Sequence, residues 1–260
     1  PDEKTANYGP VAVPWRSDLN PIDFKYLTVQ YQTSNGSVSG WAAALTDLTM
    51  TEGATITQDV ALKTLSTHQV KCSVDRPADV TLTAIGPYVM GFGADNASLA
   101  APLEVVLPLG LSEYGAGVTA QGSYADGVSF TTVLVPDEHD AASLALTVPP
   151  SIVAPAANAT RVNAATSFEW SDYTEGVQQL KILANVGGLE IEVFTDTSTF
   201  KLSDLSLSDF GFKSGAVYGW YTFGVGPVTS VDELVTGTSV LDAKGASYHA
   251  FYPARYFTAE

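Results

Sequence analysis

The sequence predicts an all-β protein built from two antiparallel β-sandwiches in series. Short runs of alternating apolar and polar residues recur along the chain, and helical periodicity of useful length is almost absent. Two of these runs carry large aromatic side chains: Phe168 and Trp170 share one strand face, and Tyr218, Trp220 and Thr222 share another. Aromatic residues at this spacing fill the space between two packed sheets, so we expect both runs to face a core.

The first half of the chain holds a series of predicted strands separated by Gly, Asn, Asp, Ser and Pro. Asn35-Gly36 is a two-residue hairpin signal between the first two strands, and Glu52-Gly53 and Asp126-Gly127 mark further turns. The predicted strands are Lys25–Gln32, Ser37–Ala42, Thr55–Leu62, His68–Asp75, Val80–Ile85, Leu103–Leu107, Val118–Gln121, Val128–Val135 and Ser143–Val148.

A proline-rich segment interrupts this pattern. Prolines lack the backbone N–H that a strand ladder needs, and Pro149, Pro150 and Pro155 lie close together. We therefore predict a first domain at 1–148 with an irregular N-terminal segment, a linker at 149–155 and a second domain at 156–260. The strands predicted after the linker match the number in one sandwich of about 110 residues. They are Ser167–Trp170, Val177–Ala184, Leu189–Phe194, Thr199–Leu202, Val217–Val225, Ser230–Thr236 and Ser247–Phe257.

The C-terminal half resembles a fibronectin type III domain, a member of the Ig-like sandwiches. The resemblance implies the fold and carries no information about a ligand, because its motifs are apolar patterns. No Arg-Gly-Asp is present, so integrin-type adhesion is not implied. The matching residues are Phe168 with Trp170, Leu180 with Ile182, Ile191 with Val193, Leu202 with Leu205, Tyr218 with Trp220, and the closing run Arg255-Tyr-Phe-Thr258.

The N-terminal half is similar to the prealbumin-like or carboxypeptidase-regulatory-like sandwiches of bacterial surface proteins. The similarity lies in Gly36-Ser-Val-Ser-Gly40, Leu48-Thr-Met-Thr-Glu-Gly-Ala-Thr55 and Val60-Ala-Leu62. In that family a strand leads through a glycine turn to a strand with an apolar end. Such domains are usually spacers or binding modules. Residues 1–24 fit no part of the pattern, and the start at Pro1 suggests a processed form or a fragment of a longer chain.

The net charge of the chain argues against two classes of partner. The chain has 12 Lys and Arg against 28 Asp and Glu, a formal net charge of −16. That field repels a nucleic-acid backbone and disfavours an anionic membrane surface. No apolar run approaches the roughly 18 residues of a membrane-spanning helix. The excess of acidic residues can keep the protein soluble. Where carboxylates cluster, it can also provide ligands for cations.

Catalytic patterns are missing from the sequence. There is no Gly-x-Ser-x-Gly elbow, no zinc-ligand spacing and no phosphate-binding loop. A hydrolase would need His68, His139 or His249 to reach a Ser or carboxylate in the fold, and we expect structural roles instead. The single cysteine, Cys72, alternates with polar residues in a strand and is interpreted as a small buried hydrophobe.

One dense group of possible metal ligands follows a predicted strand. Asp137, Glu138 and Asp140, with His139 among them, lie on a loop, and carboxylate oxygens are the ligands that Ca²⁺ takes in proteins. Calcium loops usually alternate their ligands with a glycine, which this run lacks. The alternative is a solvated acidic loop that keeps a sheet edge from pairing.

Aromatic residues are the remaining binding candidates. The face of an aromatic ring packs well on a sugar ring. Trp15 lies in irregular chain, and Trp41 lies at an alternating strand position that can face solvent. Tyr114 and Tyr124 lie in a Gly-rich segment whose loops could bind a ligand. Ordinary packing is the alternative for each ring, and solvent exposure distinguishes the two.

The sequence favours a non-catalytic, extracytoplasmic structural or adhesive segment of a bacterial cell-surface or secreted protein. Spacing and recognition of a protein partner, or self-assembly through exposed strand edges, would be its physical role. The alternative function is a carbohydrate-binding accessory module that recognises a polysaccharide. No cofactor is expected apart from the possible Ca²⁺.

Overall fold

The computed structural model describes residues 21–89, 92–93, 99, 101–125, 127–184, 190–205, 212–236, 246–251 and 254–260. Strand makes up 60% of the structure and helix 6%, so the chain is an all-β protein as predicted. No helix in the described part of the chain has the length and apolar character needed to cross a bilayer.

The strands are numbered in chain order, and one short helix, α1, spans Val231–Thr236. Two 3-10 turns lie at Ser112–Tyr114 and Leu202–Leu205. The strands are β1 Ile22–Ser34, β2 Ser37–Met50, β3 Lys63–Leu65, β4 Thr67–Asp75, β5 Thr81–Val89, β6 Phe92–Gly93, β7 Leu103–Pro108, β8 Ala116–Tyr124, β9 Gly127–Leu134, β10 Ala141–Ala145, β11 Ile152–Ala154, β12 Ala159–Val162, β13 Ser167–Trp170, β14 Val177–Ala184, β15 Glu190–Thr195, β16 Thr199–Lys201, β17 Val217–Gly226, β18 Ala246–Phe251 and β19 Arg255–Ala259.

These strands form four sheets in the described residues. Three sheets have three strands each, in the orders β1-β2-β3, β10-β4-β7 and β11-β13-β16. The fourth has ten strands: its path runs β12-β19-β17-β18-β9-β8-β5-β6, and β14 joins β17 to β15 at its side. The β1–β2 hairpin turns at Asn35-Gly36, where both residues have positive φ (52° and 79°), as a two-residue primed turn requires.

Apolar side chains form three large clusters and one small cluster within the described residues. In the first half, the β10-β4-β7 sheet and strands β5 and β8 both contribute to one cluster, with Val70, Val105, Leu107 and Val118 fully buried. A second cluster lies at one end of this core and joins β2 to β5 and β8. Strand alternation explains both, because every second side chain of each strand faces inward.

The cluster of the second half contains the aromatic residues that the sequence singled out. Phe168 and Trp220 are 0% exposed, and their ring centroids lie 5.1 Å apart at 84°. Trp170 and Tyr218 are buried as well, and Thr222 is 0% exposed on the same side of β17. The prediction that both aromatic runs face a core is confirmed.

The ten-stranded sheet includes strands from both sides of the predicted linker. Strand β18 pairs with β17 on one side and with β9 on the other. Within the predicted linker, Ile152–Ala154 forms β11 and pairs with β13. The two halves are therefore joined by backbone hydrogen bonds in addition to the covalent chain.

Three strand predictions are wrong. The residues predicted as one strand at Ser247–Phe257 belong to two strands, β18 and β19. Residues 54–62 form no strand; they are exposed almost throughout, and β3 begins only at Lys63, where it meets β2. Residues 231–236 form α1 instead of a strand. The Ser230 hydroxyl accepts a bond from the Glu233 N–H at 3.2 Å, and the Glu233 carboxylate accepts the Thr229 N–H at 2.7 Å, so a capping arrangement starts the helix.

Thr222 makes a buried bond to the segment that links the halves, and the contribution of this bond can be tested. Its hydroxyl donates to the Pro150 carbonyl at 2.7 Å. Thr222→Val keeps the side-chain shape but leaves that carbonyl unpaired, so we expect the free energy of unfolding to fall by about 1–3 kcal/mol in urea denaturation.

Thr131→Val is the matched control for this change. Thr131 in β9 is also 0% exposed, and its hydroxyl has no hydrogen-bond partner within the described residues. Removing an unpaired buried hydroxyl removes its desolvation cost, so the free energy of unfolding should stay the same or rise. Equal destabilisation by the two variants would show that the Thr222–Pro150 bond contributes nothing specific.

Candidate functional site

Of the two tryptophans predicted to stack on a sugar, only Trp41 lies within the described residues, and it is buried. Trp15 lies outside the described residues. Trp41, in β2, is only 4% exposed, and its Nε1 donates to the Val106 carbonyl in β7 at 3.0 Å. The expectation that Trp41 faces solvent is therefore wrong, because its indole joins the β1-β2-β3 sheet to the core of the first half. The more exposed ring at this place is Tyr31, at 47%, with its centroid 5.8 Å from that of Trp41.

The two predicted tyrosines are partly buried and lie apart from each other in the fold. Tyr114 ends a 3-10 turn and packs against the cluster that contains Trp41. A hydrogen bond with the Glu113 carboxylate, together with burial, raises the pKa of Tyr114. Tyr124 ends β8, and its ring lies where a side chain at Gly127 would sit. Each ring therefore packs on neighbouring chain of the first half.

The predicted calcium loop is tied to the protein through one carboxylate. The Asp137 Oδ2 accepts the Gly110 N–H at 2.8 Å, while Glu138 and Asp140 are exposed. The Asp140 carbonyl oxygen accepts the Lys71 N–H at 2.8 Å, at the start of the parallel pairing of β10 with β4. No group of three or more His, Cys, Asp or Glu in the described parts of the chain is placed to hold a metal ion.

The single cysteine and the described histidines form no nucleophile–base pair. Cys72 is half-buried in β4 and packs against the core cluster of the first half; burial raises its pKa to about 11. In the same strand the Nε2 of His68 is buried without a hydrogen-bond partner among the described residues. His139 is exposed in the acidic loop, and the side chain of His249 lies outside the described set.

Strand β1 forms a long sheet edge. It is 13 residues long and pairs with β2 on one side, and no described strand pairs with its other side. Asp23 and Lys25 are its charged residues, near one end, and residues 27–34 carry no charge. Residues 30–34 are exposed. An edge strand with unpaired N–H and C=O groups, few charges and no proline can accept another strand.

A second exposed surface lies on the ten-stranded sheet, on the side away from the core. Alternation places Leu180, Ile182 and Trp220 inward, where all three are 0% exposed, and directs the residues between them outward. We call this outer surface the aromatic face. It consists of Gln179, Lys181 and Leu183 in β14, Glu190, Glu192 and Phe194 in β15, Gly219, Tyr221 and Phe223 in β17, and Tyr256 in β19.

Cross-strand pairing arranges the middle of the aromatic face in a row. Glu192 pairs with Lys181, and Lys181 pairs with Tyr221. The rings of Tyr221 and Phe223 are in edge contact, with centroids 5.1 Å apart at 73°. Phe223 packs against a small apolar cluster of Val177, Val225 and Val228. Val231 and Leu234 of α1 pack against the same cluster, so the helix lies at one end of the face.

The other end of the aromatic face depends on a glycine. Gly219 pairs with Leu183 on one side and with Tyr256 on the other. A Cβ at Gly219 would lie 3.2 Å from Cε1 of Tyr256, so the missing side chain allows the tyrosine ring to pack directly over the strand. Tyr256 remains 50% exposed, while Phe194, at the β15 side of the face, is 38% exposed.

The charged groups of the aromatic face are paired with one another. Lys181 Nζ lies 2.5 Å from Glu190 Oε1, and the Gln179 amide donates to Glu192. The bond with Glu190 raises the pKa of Lys181. Burial, with the nearby Glu190 and Glu192 carboxylates, raises the pKa of Tyr221, and Lys181 opposes this effect. The face therefore combines ring surfaces with fixed hydrogen-bond donors and acceptors.

A cleft of about 530 Å³ lies where the two halves meet. Its lining includes Arg76, Thr147, Asp172 and Tyr173. The hydroxyls of Thr147 and Tyr173 are bonded to each other at 2.9 Å, and Arg76 donates to the Val80 carbonyl at 3.2 Å. The Thr147 and Tyr173 hydroxyls and the Arg76 guanidinium therefore already have hydrogen-bond partners within the protein. We interpret the cleft as part of the contact between the halves.

The sequence candidates did not include Tyr221 or Tyr256, although strand alternation could have found the first. In the run Tyr218-Gly-Trp-Tyr-Thr-Phe223, the inward assignment of Tyr218 and Trp220 implies that Tyr221 and Phe223 point outward. Nothing in the sequence pairs Tyr256 with Gly219, because that contact depends on the register between β17 and β19.

No protein-family model matches this chain, and no curated protein matches it at a significant level.

The role of the Asp137 loop can be tested by comparing two neighbouring carboxylates. Asp137→Ala removes the acceptor of the Gly110 N–H, and we expect a loss of about 1 kcal/mol in the free energy of unfolding, since the loop is partly exposed. Glu138→Ala at the exposed neighbouring position should change the free energy by less than about 0.5 kcal/mol. A stabilisation by Ca²⁺ that both variants abolish would contradict the tethering role and support the calcium prediction.

The pKa of Cys72 predicts slow alkylation and a pH-dependent stability. With the folded pKa at about 11, above the ordinary value of 9.0, iodoacetamide at pH 8.5 should modify the folded chain much more slowly than the urea-unfolded chain. Because folding favours the protonated thiol, its contribution to stability is complete below pH 9 and is lost as the pH rises towards 11. Cys72→Ser should remove that part of the pH dependence; equal alkylation rates in the two states would disprove the assignment.

Proposed function

We propose that this chain is a non-catalytic structural and adhesive segment of a bacterial cell-surface or secreted protein, acting outside the cytoplasm by spacing and by contact with a protein partner. The observation that carries this proposal is the outer edge of β1, with which no described strand pairs. It offers 13 residues of backbone for pairing, and the strand contains no proline. Main-chain hydrogen bonds along an edge of this length are a general way for one protein to hold another.

In this proposal the chain consists of two Ig-like or prealbumin-like sandwiches in tandem, the second of them similar to fibronectin type III. The apolar clusters support the assignment, because in each half two sheets contribute side chains to one core. The backbone pairing of β18 with β9 supports a stiff connection, as suits a spacer. The acidic surface keeps such a segment soluble.

The partner that the edge fits best is a second copy of this chain. The whole chain carries a net charge of −16, so two copies repel each other over most of their surface. In β1, the opposite charges of Asp23 and Lys25 cancel, and the exposed end of the strand, residues 30–34, is uncharged. Two β1 edges can meet in an antiparallel pair about a two-fold axis, the commonest symmetry of protein dimers.

Sedimentation velocity at increasing protein concentration tests this proposal. We expect a reversible monomer–dimer equilibrium that salt strengthens, because screening weakens the repulsion between two acidic chains. The double variant Gln30→Lys with Gln32→Lys places two positive charges on the exposed part of β1 and should abolish the dimer, since edge lysines block strand pairing.

The control carries the same change in charge away from the edge. Thr55→Lys with Thr57→Lys alters two exposed residues in the segment without secondary structure and should leave the dimer intact or strengthen it by lowering the net charge. A chain that stays monomeric at every concentration and salt, or a dimer that survives the β1 double variant, would refute pairing through this edge.

A further inference from the structure

The aromatic face carries a second inference that does not depend on strand pairing at β1. This face combines partly exposed rings with charged side chains that are held in place. Tyr256 lies over Gly219 with half of its surface exposed. Tyr221 is partly exposed beside it, diagonally across the β17–β19 pair. Diagonal neighbours in a sheet are about 7–8 Å apart, so one extended ligand can reach both rings.

Hydrogen-bonding groups border these rings on one side. The Lys181–Glu190 pair, at 2.5 Å, lies next to Tyr221 and Gly219 in the register, and the exposed Glu192 follows beyond Lys181. The Glu190 side chain is 55% exposed and that of Lys181 24%. Each carboxylate has more acceptor sites than its single partner uses, so oxygens remain for hydroxyl groups of a ligand.

The size of the apolar surface argues against a protein partner at this place. One aromatic side chain has a surface of about 150–250 Å². A half-exposed Tyr256 and a partly exposed Tyr221 therefore present less than the few hundred Å² of contiguous apolar surface that mark a protein-binding site. The surface suits a small ligand with an apolar side and polar edges.

Charge narrows the chemistry of that ligand. Two carboxylates and one lysine leave the face acidic, in a chain with a net charge of −16. An anionic ligand would be repelled. A pyranose ring has an apolar face of C–H groups and a rim of hydroxyls, and a neutral sugar carries no charge to repel.

We propose that the aromatic face binds a neutral oligosaccharide. Tyr221 and Tyr256 stack on two sugar rings of one chain, while Lys181 donates to hydroxyl oxygens and Glu192 accepts from hydroxyl groups. Gly219 favours this arrangement, because a Cβ there would lie 3.2 Å from Cε1 of Tyr256 and would shift the ring by a few tenths of an ångström.

Isothermal titration calorimetry with short neutral oligosaccharides of glucose, xylose, mannose or N-acetylglucosamine tests the proposal on the whole chain. We expect saturable binding of at least one of them at millimolar concentration or below, and no binding of oligogalacturonate, the anionic probe. Tyr256→Ala and Tyr221→Ala should each weaken that binding about tenfold or more, the loss typical of a central aromatic contact. Tyr221→Phe keeps the ring and should retain most of the affinity.

Tyr31→Ala is the matched control, because Tyr31 is exposed to nearly the same degree (47%) but lies on β1, away from the aromatic face. It should leave sugar binding unchanged. Thermal unfolding verifies that each variant folds. Because Tyr256 is half-exposed, we expect Tyr256→Ala to fold even if Tyr221→Ala does not. The proposal is refuted if no neutral sugar binds, if oligogalacturonate binds equally well, or if Tyr31→Ala weakens binding as much as Tyr256→Ala. Self-association at β1 is measured separately by sedimentation, so either proposal can fail alone.

Discussion

Strand β17 sets the geometry on which most of this structure depends. It pairs with β14 along one side and with both β19 and β18 along the other. Its alternation sends Tyr218, Trp220 and Thr222 into the core and turns Gly219, Tyr221 and Phe223 outward. The same ten residues therefore hold the core of the second half, bond to Pro150 and form the centre of the aromatic face. A shift of register by one residue would exchange these two sets.

Strand β18 extends this influence to the other half of the molecule. Because β18 pairs with β9 as well as β17, the sheet that begins in one half continues into the other. The buried bonds of Thr222 to Pro150 and of Thr147 to Tyr173 lie at the same junction. Relative motion of the halves would break these bonds in a buried setting, which is costly, so the junction is built to hold its geometry.

The two surfaces proposed for binding rely on different chemistry. The β1 edge offers backbone N–H and C=O groups, which recognise any extended chain that fits the register. The aromatic face offers ring surfaces and fixed polar side chains, which recognise the shape and hydroxyl pattern of a ligand. Both are compatible with a net charge of −16, because β1 is locally neutral and a neutral sugar is insensitive to the field.

Local patterns determined a large part of the fold. Alternation predicted most of the strands and the inward side of Phe168, Trp170 and Trp220, since a strand with one buried face must be apolar at every second position. Asn35-Gly36 fixed the first hairpin because both positions need positive φ. The capping signal in Ser230-Val-Asp-Glu233 was also present in the sequence, and it outweighed the short apolar run read there as a strand.

Only the tertiary structure decided whether certain side chains that could face solvent are exposed. Trp41 alternates as an exposed residue could, yet it is buried because β7 supplies a carbonyl for its indole from 65 positions away in sequence. The residues predicted as one calcium loop separate into a tethering carboxylate and two exposed ones, since the partner of Asp137 is the distant Gly110. Tyr256 meets Gly219 through the register of β19 on β17. Contacts of this kind join residues far apart in the chain, and sequence periodicity reports only on neighbours.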